Sequence, residues 1–234
     1  MAPIYRPLDH NFFKKWSHAM AYVLGYFAAD GTMLRNKRGA YFIEFHSTDR
    51  CLIEMVRTAM KSGHTIGIRK QKNRNPNWKN AYRLQLGSKE IFKDLSEFGF
   101  VQNKSLVVKL PVMPAPFFPD FVRGNFDGDG NVYFKKHWVQ ARKKKKWVFA
   151  CRFTSGCKQF LLDLHQALKR HGVQRGFILQ KSNKSGYELV LSHRDSLALY
   201  GLMYNTASDT GFYLPRKYKL FSKAIRTLYP KMRV

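Results

Sequence analysis

Acidic residues are scarce in this chain of 234 residues, which holds 15 Asp and Glu against 42 Lys and Arg and has a formal net charge of +27. Its three cysteines, Cys51, Cys151 and Cys157, are an odd number without CxxC spacing, so neither a disulfide framework nor a zinc site is indicated. No apolar run approaches the roughly 18 residues of a membrane span, and the first residues do not resemble a signal peptide. We therefore expect an intracellular protein, with a bacterial, archaeal or organellar compartment left open.

The positive charge is spread over the whole chain, because residues 1–117 hold 19 basic and 8 acidic side chains and residues 118–234 hold 23 and 7. Hydrophobic residues make up 44% and aromatic residues 15% of the chain, which excludes a disordered polycation. Such a charge favours a polyanionic partner. A ribosomal-type protein and a binder of acidic membranes are alternatives, but the chain lacks the long basic amphipathic helix or lipidation signal of the latter. Nucleic acid is the favoured partner.

An internal repeat divides the chain into two related halves. Residues 22–34 and 120–134 share the frame G-x-x-x-x-D-G, with Gly25 and Gly124 separated by 99 positions. Three further pairs of similar segments follow in the same order: 45–56 and 153–164, 81–90 and 186–195, and 103–110 and 216–223. We therefore expect an N-terminal half at 1–107, a Pro-rich linker at 108–119 and a C-terminal half at 120–234.

The hydrophobic periodicity predicts the order helix, hairpin, helix, hairpin, helix in each half. In the first half it predicts helices at 17–29, 49–62 and 88–98 and strands at 32–36, 40–48, 66–72 and 81–87. In the second half, after the motif helix, it predicts helices near 157–171, 194–205 and 216–228 and strands near 131–140, 147–155, 175–181 and 186–192. The expected fold class is α+β with two four-stranded antiparallel sheets, each with a basic polar face.

The two repeated motifs carry small residues one helical turn apart, which lets two helices approach until their backbones nearly touch. These positions are Ala21, Gly25 and Ala29 in the first helix and Asp120, Gly124 and Gly128 in the second. Such packing would bring Asp30 and Asp129 side by side at the negative ends of the helix dipoles, which is unfavourable without divalent cations. Mg²⁺ is the natural partner of carboxylate and carbonyl oxygens.

Two alternatives apply to the Asp-Gly motifs. A single Asp-Gly pair is usually a turn, and only its recurrence in two helices raises its significance. The segment 127–131 also resembles the start of an EF-hand loop, but Val132 stands where Gly is needed and Trp138 where Glu is needed. The eight histidines show no ligand spacing, and four of them are interpreted as structural: His18, His64, His165 and His171.

The paired motifs and their spacing resemble the LAGLIDADG homing endonuclease family, in its monomeric form with two motifs in one chain. The resemblance covers nearly the whole chain and implies two pseudo-symmetric αββαββα halves, packed through the motif helices, with saddle-shaped sheets in the DNA major groove. It implies Asp30 and Asp129 as metal ligands and the carbonyls of Ala29 and Gly128 as further ligands. Ala28 departs from the motif, since many members carry another Asp there.

The resemblance also implies two further pairs of catalytic residues. Basic residues near the active site correspond to Lys104 and Lys217. The polar residue at the end of the second strand, often Gln in the family, corresponds to Ser47 and Ser155.

The implied activity is Mg²⁺-dependent hydrolysis of one phosphodiester on each strand, across the minor groove of a long asymmetric DNA target, in intron homing. Ca²⁺ is expected to support binding without cleavage, and Mn²⁺ to substitute for Mg²⁺. The alternative is a non-cleaving binder on the same scaffold, either an intron RNA maturase or a DNA-binding regulator.

Side chains on the outward faces of the strands are expected to reach bases, and turns are expected to reach phosphates. The candidates are Arg35, Lys37, Arg38, Glu44, His46, Arg69, Lys70, Lys72, Arg74, Arg83 and Gln85 in the first half, and Lys135, Gln140, Arg142, Lys144, Arg152, Thr154, Gln180, Lys181, Lys184 and Glu188 in the second. The basic run at 142–146 is expected in a hairpin turn, as a phosphate clamp or as a solvated loop.

Overall fold

The computed structural model describes residues 6–69, 80–205 and 211–231. The first seven elements are α1 (His18–Asp30), β1 (Gly31–Arg35), β2 (Tyr41–Ser47), α2 (Arg50–Ala59), β3 (Ile66–Arg69), β4 (Ala81–Gly87) and α3 (Lys89–Glu97). They are followed by α4 (Phe118–Asp129), β5 (Gly130–Val139), β6 (Lys144–Ser155), α5 (Lys158–Lys169), β7 (Phe177–Gln180), β8 (Tyr187–Ser192), α6 (Arg194–Tyr200) and α7 (Pro215–Leu228). A π-helical turn at Gly201–Asn205 extends α6.

The eight strands form two four-stranded sheets, ordered β1-β2-β4-β3 and β5-β6-β8-β7, in which neighbouring strands are antiparallel. The prediction of an α+β chain with two antiparallel sheets is therefore confirmed. The predicted helix at 49–62 ends earlier, at Ala59, because Lys61 has a positive φ of 49° and cannot continue it. Among the described residues, the helices all fall short of the length and apolar content that a membrane span requires.

The chain divides into two compact units that do not coincide with the two repeats. Unit 1 comprises the chain up to Lys104, the segment Pro111–Gly128 and a short segment ending at Phe212, and the rest of the chain forms unit 2. The second motif helix, α4, thus belongs to unit 1 almost to its end. The halves at 1–107 and 120–234, with their linker at 108–119, remain a prediction about the repeated sequence.

Unit 1 is built around α1, of which the residues from Met20 to Ala28 are all buried. Ser17 begins this helix, as predicted, because its side chain accepts a 3.1 Å hydrogen bond from the amide of Met20. The inner face of the first sheet contributes Ile43, Phe45, Leu84 and Leu86, which are fully buried. The alternation of these residues with polar ones leaves the opposite face of the sheet available for other contacts.

Unit 2 is built around the second sheet. Phe149, Cys151 and Phe153 alternate along β6 and are fully buried. Helix α5 packs Leu161 and Leu164 into this core, and α7 packs on β5. The polar residues between them on β6 therefore lie on the outer face.

Candidate metal-binding residues and nucleic-acid interface

Helices α1 and α4 touch through their backbones within unit 1. A Cβ atom on Gly25 would lie 2.0 Å from the carbonyl oxygen of Phe121, and one on Gly124 would lie 2.0 Å from that of Tyr22. Any side chain at either position would collide with backbone atoms that have little freedom to move. The predicted close approach at these two glycines is confirmed.

Asp120 is not a close-packing position, contrary to its place in the predicted series of small residues. It is a buried carboxylate, with Nδ1 of His18 2.7 Å from its Oδ2 and the guanidinium of Arg123 on its other oxygen. Arg123 also donates from Nε to the carbonyl of Phe212 at 2.6 Å. Burial of a charge needs such partners, so this network anchors the first turn of α4 in unit 1.

Tyr22 and Asp127 form a second polar link between the two helices. The Tyr22 hydroxyl donates a 2.9 Å hydrogen bond to Oδ2 of Asp127, and both side chains are buried. Burial, reinforced by the negative charge of Asp127, raises the pKa of Tyr22 well above its usual value of 10. This hydrogen bond was not predicted, because its partners are 105 positions apart.

Asp30 is the last residue of α1, and its side chain is partly exposed. Gly31 follows in an extended conformation, with φ −84° and ψ 152°, so no left-handed turn is needed there. Glycine is required for space instead, because a Cβ on Gly31 would lie 2.1 Å from the ring of Phe27. The tight contact turns the chain directly from α1 into β1.

The carboxylate of Asp30 lies against α4. A Cβ on Gly128 would lie 3.2 Å from Oδ2 of Asp30 and 2.5 Å from the Cβ of Ala29. Asp129 is the next residue and ends α4, and Gly130 starts β5. Each motif helix therefore ends in an aspartate and passes directly into the first strand of a sheet.

Lys104 is buried, with 5% of its surface exposed, and it lies at the C-terminal end of α1. Its Nζ donates to the carbonyl of Ala28 at 2.9 Å, lies 3.4 Å from that of Ala29, and sits over the ring of Phe27. A cation at this position interacts favourably with the negative end of the helix dipole. Lys217, its predicted counterpart, is buried in α7 of unit 2.

Ser47 and Ser155 end β2 and β6, and each makes the same local hydrogen bond. Ser47 accepts from the amide of Asp49 at 2.9 Å, and Ser155 accepts from the amide of Cys157 at 3.1 Å. These bonds hold the turn that leads into the next helix. A structural role is therefore visible for both serines, and their catalytic role remains a prediction.

The donor set suits a hard divalent cation. Carboxylates and helix-terminal carbonyls are the oxygen ligands that Mg²⁺ and Ca²⁺ prefer. Within the described ranges no cluster of three or more His, Cys, Asp or Glu could hold a metal. A cation bound by Asp30 or Asp129 would therefore take further ligands from water and phosphate, as Mg²⁺ commonly does. The carbonyl of Ala29 also faces Lys104 at 3.4 Å, which weakens it as a ligand.

The outer face of the first sheet is a groove of about 570 Å³, lined by Thr32, Leu34, Glu44, His46, Gly67, Ile68, Arg69, Ala81 and Arg83. Glu44 is one of the lining residues and is buried. Its carboxylate accepts from Nε2 of Gln85 at 2.6 Å and lies 3.0 Å from Nε2 of His46. Five of the eleven predicted DNA-contact residues of the first half thus share one surface: Glu44, His46, Arg69, Arg83 and Gln85.

Other predicted contacts of the first half lie elsewhere. Arg35 pairs with Tyr41 in register, on the side of the sheet that carries Met33, and its guanidinium lies over the Tyr41 ring. Lys37 and Arg38 are exposed in the β1–β2 turn. The predicted residues Lys70, Lys72 and Arg74 lie outside the described residues.

On the second sheet, the strand register places Lys135, Arg152, Thr154 and Glu188 on the outer face. Gln180 pairs with Tyr187, on the side that carries the core residues Leu189 and Leu191. The residues of β7 on the outer face are Phe177 and Leu179, which sequence reasoning missed because apolar residues were assigned to the core. Lys181 and Lys184 lie in the β7–β8 turn.

The basic run at 142–146 is only partly in a turn, which corrects the prediction. Gln140–Arg142 form a 3-10 turn and Lys143 has a positive φ of 44°, whereas Lys144 already begins β6. The residues from Gln140 to Lys145 are all exposed. The run therefore continues from the hairpin tip along β6.

Comparison with known proteins agrees with the resemblance in the sequence. Residues 17–98 match the family described as LAGLIDADG-like domain. A curated relative, the DNA-directed RNA polymerase subunit Rpo1C of Methanocaldococcus jannaschii, is 25% identical over 183 residues, or 77% of this chain. The chain spans only 18% of the length of that relative.

Several solved structures share the fold. The I-SmaMI LAGLIDADG homing endonuclease bound to cleaved DNA is 13% identical, with a TM-score of 0.59 over 93% of this chain and 91% of that one. I-SmaMI bound to uncleaved DNA with calcium ions is 12% identical, with a TM-score of 0.57 over 93% of both chains. The homing endonuclease I-WcaI bound to its DNA recognition sequence is 17% identical, with a TM-score of 0.58 over 90% of both chains. Residues 17–98 thus match the LAGLIDADG-like domain, and the chain shares the fold of the LAGLIDADG homing endonucleases of known structure.

Proposed function

We propose that the chain is a site-specific DNA endonuclease that acts as a monomer. It would hydrolyse one phosphodiester on each strand, across the minor groove of a long asymmetric target. The observation that carries this proposal is that two motif helices, packed backbone to backbone at Gly25 and Gly124, each end in an aspartate, Asp30 or Asp129. Each aspartate is followed at once by the first strand of a sheet whose outer face carries charged side chains.

Asp30 and Asp129 would each hold a divalent cation, with Mg²⁺ as the active ion, Mn²⁺ as a substitute and the carbonyls of Ala29 and Gly128 as additional ligands. When bound, such an ion stabilises negative charge on a phosphate and lowers the pKa of a coordinated water. The partial exposure of both aspartates supports this role, since a phosphate has to reach them. Ca²⁺ would support binding without cleavage, and a related structure holds uncleaved DNA in the presence of calcium.

Lys104 would act by fixing the end of α1 and by adding positive charge near the reacting phosphate. Its hydrogen bond to Ala28 holds the last turn of the helix that carries Asp30. A preorganised charge of this kind is worth more in a buried setting than in water. Lys217 would supply the equivalent charge for the second strand, since it is similarly buried. Ser47 and Ser155 would act by shaping the turns beside the site.

The outer faces of the sheets would read bases, and the hairpin residues from Arg142 to Lys145 would bind phosphates. The two faces differ in sequence, with Arg83 and Gln85 in the first where Glu188 and Val190 stand in the second. Different side chains read different base edges. A target with two unlike half-sites is therefore proposed.

The experiment is a cleavage selection from a library of randomised double-stranded DNA with the purified full chain. We expect one asymmetric consensus, cut on both strands in Mg²⁺ and left intact in EDTA. The same protein is offered structured intron RNA in a parallel binding assay. A chain that binds RNA or DNA tightly but cuts nothing in Mg²⁺ or Mn²⁺ is the non-cleaving binder, and the nuclease proposal is then wrong.

A further inference from the structure

Among the described residues, an arginine–glutamate pair lies on the outer face of each sheet. In the first sheet, Nη1 of Arg83 lies 3.5 Å from Oε1 of Glu44. In the second, Nη1 of Arg152 lies 3.2 Å from Oε2 of Glu188. Both pairs join the second strand of a sheet to the neighbouring strand from the following hairpin, β2 to β4 and β6 to β8.

The two pairs occupy equivalent positions with their charges exchanged. In the repeat, Glu44 corresponds to Arg152 and Arg83 corresponds to Glu188. The strand registers agree. Glu44 lies opposite Gln85 and contacts Arg83, two positions before Gln85. Arg152 lies opposite Val190 and contacts Glu188, two positions before Val190. The same diagonal contact thus exists in both sheets with opposite polarity.

In both pairs the carboxylate is less exposed than the guanidinium. The side chains of Glu44 and Glu188 are 7% and 17% exposed, whereas those of Arg83 and Arg152 are 50% and 42% exposed. A guanidinium carries five N–H donors in a planar fork. Glu188 accepts a hydrogen bond from Nη1 of Arg152, whereas Glu44 forms an ion pair with Arg83. Each carboxylate restricts the orientation of its guanidinium group and leaves further Nη hydrogens for a ligand.

Both carboxylate oxygens of Glu44 already have protein partners. Gln85 donates to its Oε1 at 2.6 Å, and Nε2 of His46 lies 3.0 Å from its Oε2. Because this carboxylate is also buried, a cytosine amino group has poor access to its oxygens. Glu44 therefore organises the side chains around it, although the sequence alone suggested that it reads a base.

We propose that Arg83 and Arg152 each read a guanine, and that Glu44 and Glu188 are positioning residues that hold their guanidinium groups. This inference rests on the proposed DNA-binding function. Arginine paired bidentately with O6 and N7 of guanine is the commonest specific contact in the major groove. Because the arginine lies on β4 in one sheet and on β6 in the other, the two guanines occupy non-equivalent positions in the two half-sites.

The test is a binding measurement in Ca²⁺ with the full chain and its selected target, in which each guanine in turn is replaced by 7-deazaguanine. This base keeps its Watson–Crick pairing but lacks the N7 acceptor. The wild-type protein is expected to lose roughly tenfold in affinity at one guanine of each half-site. The affinity of Arg83→Ala should not change when one of these guanines is replaced by 7-deazaguanine. The affinity of Arg152→Ala should not change when the other is replaced. Arg152→Lys, which keeps the charge but not the fork, should behave like Arg152→Ala.

The controls separate this inference from the proposed function. Lys145→Ala, in the basic hairpin, should weaken binding to all these DNAs equally. If Arg152→Ala and Arg83→Ala keep the full 7-deazaguanine effect at every guanine, the assignment is wrong, while specific DNA binding stands. If the wild-type chain selects no DNA sequence at all, the proposed function itself fails.

The positioning role of Glu188 has its own readout. Glu188→Gln should reduce the discrimination between guanine and 7-deazaguanine at the Arg152 position, without changing the affinity for unrelated DNA. A lost preference for cytosine at some other position would instead identify Glu188 as a base reader and overturn its positioning role.

Discussion

The backbone of Gly25 in α1 rests on the carbonyl group of Phe121 in α4, where a Cβ atom would come within 2.0 Å of the carbonyl oxygen. Gly124 meets the carbonyl of Tyr22 in the same way. Because the relation is reciprocal, neither helix can shift without breaking both contacts. The position of Asp30 relative to α4 therefore depends on the absence of two side chains.

Gly25→Ala and Gly124→Ala should each destabilise the protein by about 3 kcal/mol or more, since the added methyl group meets a backbone atom rather than a flexible side chain. The free energy of unfolding in urea measures this effect. Gly201→Ala is the matched control, because Gly201 has a helical φ of −55° and a Cβ there would be 3.9 Å from its nearest neighbour. Equal effects at all three positions would refute the close-packing explanation.

Lys104→Met should lower the free energy of unfolding by roughly 1.5–3 kcal/mol, because the buried ammonium group donates to the carbonyl of Ala28 and a thioether cannot. It should also slow cleavage of the target in Mg²⁺. Lys109→Met, at an exposed position, is the control and should change neither quantity. Normal stability and cleavage in Lys104→Met would show that the Ala28 contact has no role.

Alkaline pH should destabilise unit 1 through its buried tyrosines. Burial raises the pKa of Tyr22 and of Tyr26 well above 10 in the folded state. The contribution of these tyrosines to the free energy of unfolding is fully present below the unfolded-state pKa of about 10 and is lost as pH rises above it. The free energy of unfolding, measured from pH 8 to 11, should therefore fall above pH 10.

Tyr22→Phe should reduce the steepness of this alkaline decline. At neutral pH the same variant should be about 1–3 kcal/mol less stable, because Asp127 loses a buried hydrogen-bond donor. An unchanged slope above pH 10 would contradict the role assigned to Tyr22.

Lys145→Ala should reduce the salt dependence of DNA binding. Each phosphate contact contributes about −0.9 to the slope of log K against log salt, so the loss of one contact should make the slope shallower by about that amount. Lys89→Ala, on the exposed side of α3, should leave the slope unchanged. A normal slope for Lys145→Ala would identify the basic hairpin as a solvated loop.

Most of the fold could be predicted from the sequence because hydrophobic alternation and helical spacing agree with the repeat. The alternation of Ile43 and Phe45 with polar residues indicated the inner face of the first sheet, and the spacing of Gly25 and Gly124 indicated where the motif helices meet. These patterns are local, or recur in both halves. They can therefore be recognised in the sequence without knowledge of the tertiary contacts.

Strand ends were harder to predict, because the direction of a side chain there depends on the register and not on hydrophobicity. Arg35 and Gln180 are polar residues on the core side of their sheets, and Phe177 is an apolar residue on the outer face. A register that differs by one residue exchanges the two faces.

The network of His18, Asp120 and Arg123 was missed for another reason. Its longest link, from His18 to Asp120, joins residues 102 positions apart. Helical spacing alone led to the prediction that Asp120, like Gly124 and Gly128, lies where the two motif helices pack together. The i, i+3 spacing of Asp120 and Arg123 was the one local signal of an ion pair.

The central claim is that Asp30 and Asp129 hold the metal ions with which the chain cuts DNA. The most direct measurement compares the wild type with Asp30→Asn, Asp129→Asn and the double variant on the selected target, in Mg²⁺ for cleavage and in Ca²⁺ for binding. We expect all three variants to bind the target as the wild type does, and none to make a double-strand break. Double-strand cleavage by the Asp30→Asn/Asp129→Asn protein would contradict the account.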